Sequence, residues 1–565
     1  MPPEHVPPSC PLAVCAADDR TLLPISTVCS IAVADAFALQ VVRHPSRVLV
    51  QPAGRICAGA LVRGDQVLPT PRACRRYGQA RMSVSPAQTT GTQEMKWASS
   101  CQVSFSDLQE AVDDSVAVCK AELGGKPEVD LALMFISSRF TESRGGATPI
   151  DQSDLDRAME TVKRELGAKH ILGCLGGGVL GMGEERSPEE FEDFKAVSIC
   201  CAKLPGVEIA PFRLPAKDVP GNDGTQQDWC DLLGGTSPLD EPVIICMAEP
   251  QMSASPALNT FLEGLDFAYP GCVKVGGLAA PSLQSQSTLP SVFSSWSTGK
   301  DDTGQFGLPL PDFLSGGVGA GAKKTGPIVA GIALTGNIAA EPLVAQGCRG
   351  IGGVYEVAKV DRNMLLAVTE VGKSKEMTSL ELLQEVIQGL SPADVQLAQT
   401  SLFLGVASDS MKFDASRQSE SENDEFLIRQ VVGVSVKEQG LVVADVLRPG
   451  QRVRLHVRDR DAAVDDVETL MSGYKRKRLT AMMTGSAAPP PAAGVLLFSC
   501  LGRGRALFNE ANYDSRMAHI STGVPVAGVF CNGEIGPVHG SSRLLGFTSV
   551  FTLLRQKSAL APPPP

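Results

Sequence analysis

The chain of 565 residues predicts a mixed α/β protein: two tandem halves built from repeated strand-helix-strand-strand units with mixed sheets. Three observations point there. Short apolar runs bounded by glycine read as buried strands, helical stripes follow them, and the succession recurs along the chain.

The first unit reads VDLALMFISS at 129–138, DQSDLDRAMETVKRELG at 151–167, HILGCLGGGVLG at 170–181 and AVSICCAKLP at 196–205. Its helix places Leu155, Ala158, Met159, Val162 and Leu166 on one stripe and the charges outside. A second unit runs from EPVIICMAE at 241–249 through PALNTFLEGLDFAYP and CVKVGGLAAP to GPIVAGIALTG at 326–336. The last unit has GVLLFSCLG at 494–502, a short helix over 514–520, VPVAGVFCNGEIG at 524–536 and LLGFTSVFTLL at 544–554. A less regular unit is expected from SLFLGVASD at 401–409 through LIRQVVGVSV, GLVVADV and QRVRLHVRD, which makes four units in two halves.

The expected organisation is a leader over 1–82, a first half over 100–340, a second half over 341–555 and a disordered tail over 556–565. A Ser, Gly and Pro-rich stretch at 282–326 reads as an exposed insertion in the first half, a polar loop as 408–425, and TGSAAPPPAAG as a linker at 484–494.

Charge divides the chain. Residues 36–93 hold eight arginines, no lysine and one acid, Asp65, whereas residues 94–565 carry 42 Lys+Arg against 57 Asp+Glu. An arginine-rich, acid-poor leader is the pattern of an organellar transit peptide, so the plastid is the expected destination, with mitochondrion and cytoplasm as alternatives. The acidic remainder repels phosphate backbones and argues against nucleic acid as a partner. No apolar stretch is long enough to span a bilayer, and a soluble protein is expected. The basic run YKRKR at 474–478 reads as the last turn of a helix over 462–473, where cations complement the dipole.

The 16 cysteines form no CxxC pair, five lie in the leader, and there are six histidines. No metal site and no cofactor are expected from that scatter, and the thiols read as reduced. Gly176, Gly178 and Gly181 fit GxGxxG, but MGEERSPEEFEDF follows where the dinucleotide fingerprint needs a helix. The chain has no GxxxxGK[ST] and no GxSxG.

The chemistry gathers at strand ends. GVLLFSCLGRGR carries Ser499, Cys500, Gly502, Arg503 and Gly504, and the following element carries Cys531, Asn532 and Glu534. A guanidinium such as Arg503 or Arg349 can hold a carboxylate in a two-donor fork, Glu534 can take an ammonium, and glycine amides can complete a small-molecule cup. Cys174, Gly176 and Cys348 occupy similar turns upstream. Two other readings stay open: Arg503 paired directly with Glu534 to close the cup, and an enzyme using Cys500, Glu534 and His539 as nucleophile, acid/base and base.

FSCLGRGRALF at 498–508, PVAGVFCNGEIGP at 525–537 and LLGFTSVFTLL at 544–554 resemble the C-terminal half of the FIST family, the sensory domain of F-box and intracellular signal transduction proteins. GNIAAEPLVAQGCRGIGGVYEV at 336–357 is similar to the entry to that half. VDLALMFISS and ILGCLGGGVLGMGEE are similar to the N-terminal half. The resemblance covers about 129–555 and lacks an F-box module. It departs from the family at Leu545, where His is common, and at Gly350, where Pro is usual. It implies a sensor of a small polar metabolite, such as an amino acid, that presents its state to a signalling partner. An enzyme or an interaction scaffold is the alternative.

Overall fold

The computed structural model describes residues 22–23 and 94–557, apart from 105–106, 126, 144–147, 222, 254–255, 286–288, 297–325, 408–425 and 485–488. The chain divides into a unit made of Met1–Val33 with Met95–Pro565 and another, Ala34–Glu94, of which only Glu94 is described. Of the leader expected over 1–82, only Leu22–Leu23 is described, antiparallel to Ser435 and Val434; the rest lies outside the described residues, as do the 408–425 loop and most of the tail.

Three sheets share one plan. In the first, Leu131–Ser137 and His170–Gly176 are parallel, joined by the helix Gln152–Leu166, and Ala196–Lys203 returns antiparallel to Leu131–Ser137. The second repeats this with Val243–Ala248, the helix Ala257–Ala268, Lys274–Leu278 and Ile328–Gly336. The third repeats it with Gly494–Cys500, the helix Tyr513–Thr522, Val526–Cys531 and Thr548–Arg555. Lys96–Val103, Val207–Pro215 and Ala339–Gln346 add the respective edges.

The remaining strands are exchanged between sheets. After Gly176 the chain crosses to the third sheet, where Gly178–Met182 pairs with Val526–Cys531 and carries Pro188–Phe191 beside it. After Cys531 it crosses to the second sheet, where Glu534–Val538 pairs with Lys274–Leu278 and carries Ser541–Leu545. After Leu278 it crosses to the first, where Val292–Trp296 pairs with His170–Gly176. Each sheet thus lends an arm and receives one, in a closed cycle.

The exchange explains why the strands read as unbroken apolar runs: both faces of each sheet are buried. Inner faces meet in one core holding Phe135 and Cys174 of the first sheet, Ile245 and Met247 of the second, and Phe498 and Val529 of the third. Outer faces are covered by helices, for example Val112 of Leu108–Glu122 and Val162 of Gln152–Leu166 on the first sheet. The latter helix begins where expected because Asp151 and Asp154 form a reciprocal capping box.

The expected fourth unit is instead an antiparallel ring. Cys348–Asp361, Met364–Glu370, Gly440–Val443, Phe426–Ser435, Leu402–Ala407 and Arg452–Arg458 pair in that order, and the last closes on the first. Closure removes the free edges that such a meander would expose. The ring sits in the chain between Ala339–Gln346 and the helix Arg460–Met483. That helix runs past Gly473, so the basic run at 474–478 lies within it and not in its last turn.

The expected insertion at 282–326 also needs correction. Val292–Trp296 is a core strand, with Phe293 only 2% exposed and packed against Gly173; residues 297–325 lie outside the described residues. Phe293→Ala should cost about 3–5 kcal/mol in urea unfolding. A change below about 1 kcal/mol would mean that the arm is not part of the core.

Candidate functional site

Gly494–Cys500 ends in a tight turn, closed by Arg503 N donating to Cys500 O at 2.9 Å. The turn folds the Arg503 side chain inward until it is completely buried. Its Nε and Nη2 donate to Asp514 Oδ2 and Oδ1 at 2.8 and 2.9 Å, and its guanidinium lies 5.2 Å from the Phe508 ring centroid. The Ser549 hydroxyl donates to the same Asp514 Oδ2 at 2.7 Å and stands 2.9 Å from the Ser499 hydroxyl. Burial works against the guanidinium's charge, and the Asp514 carboxylate more than offsets it. Nη1 has no hydrogen-bond partner.

Glu534 opens the arm that crosses to the second sheet and is also fully buried. Its Oε2 accepts from Thr548 Oγ1 at 2.8 Å and from Thr548 N at 3.3 Å, while Oε1 has no partner. Burial pushes its pKa up to about 8, against the opposing pull of Thr548, Arg503 and the Cys500 thiol. The carboxyl is therefore mostly protonated at neutral pH.

A third buried acid, Glu190, comes from the arm lent by the first sheet. Its Oε1 accepts from Ser515 N at 2.9 Å in the first turn of Tyr513–Thr522, its backbone N donates to Asn512 Oδ1 at 2.8 Å, and Oε2 has no partner. Burial, then the neighbouring Asp514, raises it to about 7. Two residues on, Glu192 Oε1 accepts from Arg505 N at 2.7 Å. Two lent arms thus reach the same cluster, one bringing Glu190 and the other Glu534.

Of the residues singled out from the sequence, the structure brings some into this cluster and leaves others apart. Ser499, Cys500, Arg503 and Glu534 come together as expected, and Cys348 is close enough to feel Arg458 and Arg503, although burial drives its thiol up to about 12. Arg503 is paired with Asp514, however, not with Glu534. Arg349 is engaged by Asp394 at 2.6 Å and Asp459 at 2.8 Å, which occupies the fork expected to hold a carboxylate.

The glycines serve packing. A Cβ at Gly176 would run into the Val529 side chain, and one at Gly502 would stand 2.8 Å from the Phe547 ring. Gly504 has φ +59 and abuts Glu192, which already takes the adjoining amide. Asn532 N donates to Leu278 O at 3.1 Å, within the arm crossing. Cys174 is a buried thiol raised to about 12 by burial, beside Cys531. His539 stands at the far turn of its hairpin, five residues from Glu534 and so roughly 16 Å along the strand. It does not join Cys500, which removes the base from the enzymatic arrangement. No strand-to-helix turn follows Gly181, and among the described residues no group of His, Cys, Asp and Glu could hold a metal.

Asp514, Thr548, Ser549 and Glu190 escaped the sequence reading. Asp514 was visible only as the start of a helix. Glu190 sits in PEEF, an acidic stretch without apolar alternation, so nothing local marks it as buried.

The exchanged α/β units and their one buried Arg-Asp-Glu centre define a two-part protein whose halves meet at a shared polar cluster. The FIST N domain matches residues 130–296 and the FIST C domain residues 379–537. The chain belongs to the FIST family, whose domains are associated with signal transduction and sensing. It is 32% identical over 251 residues to an uncharacterized protein of Mycobacterium bovis and to one of Mycobacterium tuberculosis, covering 42% of this chain and 59% of each relative. A second uncharacterized Mycobacterium tuberculosis protein is 32% identical over 212 residues, 37% of this chain and 50% of that one. The chain therefore spans between half and three fifths of the length of these curated relatives.

Two outcomes test the cluster. Asp514→Ala leaves Arg503 buried without its partner and should cost about 3–5 kcal/mol, partly restored by adding Arg503→Met. Additive losses in denaturant unfolding would contradict the pairing. Glu534 titrates near its usual 4.5 when unfolded and near 8 when folded. The unfolded chain therefore binds fewer protons between those values, and stability falls as pH rises from about 4.5 to about 8. Glu534→Gln should flatten that fall; an unchanged slope would show that the carboxyl is not held neutral.

Proposed function

We propose that the chain senses a small polar metabolite of the amino-acid class at the seam where the arms bearing Glu190 and Glu534 meet Arg503. One observation carries this reading. Arg503 and Glu534 are fully buried, each is saturated by the protein on one side, and each keeps one polar atom, Nη1 and Oε1, unpartnered. Buried polar atoms are ordinarily paired, because an unpaired one costs about 1–3 kcal/mol. A zwitterion satisfies both, its carboxylate at Nη1 and its ammonium at Oε1. Both groups lie inside, so the ligand enters through displacement of an arm, and occupancy is thereby coupled to the seam between the two domains. A signalling partner that reads the seam fits the family's association with signal transduction.

Taking an ammonium requires Glu534 to release its proton, so affinity should rise with pH up to about 8. The test is a thermal-shift and calorimetric panel on the full chain: amino acids beside the matching amines and carboxylic acids. A bound zwitterion stabilises by RT ln(1 + [L]/Kd), whereas removal of either charged end should weaken binding. Glu534→Gln should abolish the pH dependence. A panel without a stabilising member, or a hit indifferent to Glu534→Gln, would contradict the assignment.

The arginine-rich segment at 36–93 supports delivery to an organelle, with a plastid first. The amino terminus of the protein purified from its own cells, read by mass spectrometry, should begin near residue 82; an intact Met1 would contradict delivery with cleavage.

A further inference from the structure

The helix Arg460–Met483 packs on the third sheet through Ala463, Val467, Met471 and Tyr474, and none of its residues beyond Tyr474 is buried. The helix nevertheless continues for nine residues, roughly two and a half turns. On this overhang Leu479, Met482 and Met483 are 60, 67 and 80% exposed. Lys475 and Arg476 lie three to eight positions before them, at helical spacing on the same face. Lys477 is tied to Glu341 at 2.9 Å, and Arg478 donates to the Tyr474 hydroxyl at 3.1 Å and lies over its ring, so Lys475 and Arg476 are the cations of the run with neither an ion pair nor a hydrogen-bond or ring partner among the described residues.

A second helix extends the surface. Arg460 Nε donates to Phe508 O at 2.9 Å, and Glu468 lies close enough to Tyr513 to add to the burial that raises its phenol. Asp466 meets Gln346 and Lys477 meets Glu341, so Arg460–Met483 runs against Ala339–Gln346, just as the crossover helix Tyr513–Thr522 runs against the parallel strands Gly494–Cys500 and Val526–Cys531; the two helices therefore point the same way, and Ile520, 61% exposed, lies toward the same end.

We propose that this helix end docks on the surface of an anionic lipid bilayer. Protruding apolar side chains beside free cations are the composition that enters a headgroup boundary, where no shaped groove is needed and the cations meet anionic headgroups. Leu479, Met482 and Met483 stand largely exposed at the helix end, with no groove among them to receive a folded partner. The chain's net charge of −11 does not forbid the contact, because charges farther off than about 10 Å are screened at ordinary salt. The nearest exposed acids on the helix, Glu468 and Asp465, lie about two and three turns before Lys475, which confines the contact to the helix end. No helix among the described residues is long and apolar enough to cross a membrane, so the attachment is peripheral.

The test is sedimentation of the full chain with phosphatidylcholine vesicles, with and without phosphatidylserine. Binding should require phosphatidylserine and weaken between about 0.1 and 1 M salt. Either Lys475→Glu with Arg476→Glu, or Leu479→Gln with Met482→Gln and Met483→Gln, should lower partitioning by roughly tenfold or more. Both variants change exposed residues only, and their melting temperatures should match the parent chain. A parent chain that stays in the supernatant with phosphatidylserine vesicles, or sediments equally in both variants, would overturn the proposal. So would an acidic amphipathic peptide that binds this face while vesicles do not, since it would assign a protein partner.

Discussion

The α/β body of this molecule depends on the exchange of arms between its three α/β sheets. A sheet that ended at His170–Gly176, Lys274–Leu278 or Val526–Cys531 would leave a long apolar edge in water, and each is instead closed by a strand lent from elsewhere. The exchange also joins the family's two domains. Gly178–Met182 and Pro188–Phe191, within the FIST N domain, complete a sheet of the FIST C domain, and Glu534–Val538 returns the exchange. Polar latches hold the arms in place: Asp266, paired with the buried Lys274 at 3.0 Å, accepts from Ser542 N and Oγ at 2.6 and 2.7 Å.

The polar centre lies where those arms cross, and its electrostatics follow from that position. One buried cation, Arg503, faces three buried acids, Asp514, Glu190 and Glu534. The two-donor fork matches Arg503 to Asp514 and leaves the other two without a counter-charge, so burial raises both, Glu190 to about 7 and Glu534 to about 8. A centre of this kind responds to protons and to amines through the same carboxyls. The strand ring adds a neighbour: Phe403 of Leu402–Ala407 packs 4.1 Å from Phe547, next to the Thr548 that holds Glu534. The ring is thereby in contact with the loop that shapes the site.

The elements themselves were legible in the sequence, while their partners were not. Apolar runs and glycine turns located the parallel strands, and the 151–167 pattern with its aspartates located a helix. Strand exchange has no local signature, since Gly178–Met182 reads the same whichever sheet receives it. The 401–459 meander lacks a helix between strands, which in retrospect marks an antiparallel ring and not another α/β unit. Gly473 suggested a helix stop, yet a mid-helix glycine costs only about 1 kcal/mol and packing of Met471 and Tyr474 on both sides outweighs it. At the site, strand ends revealed Cys500, Arg503 and Glu534. The partners that decide their chemistry, Asp514 and Glu190, became visible only through tertiary contacts.

If exchange is what holds the fold, the three lent arms open together. Native-state hydrogen exchange across a denaturant series measures this directly on amides of Gly178–Met182, Val292–Trp296 and Glu534–Val538. The account predicts that all three merge into one global unfolding isotherm at the highest free energy in the molecule. An arm that exchanges through its own low-energy opening, with the receiving sheet still protected, would contradict it.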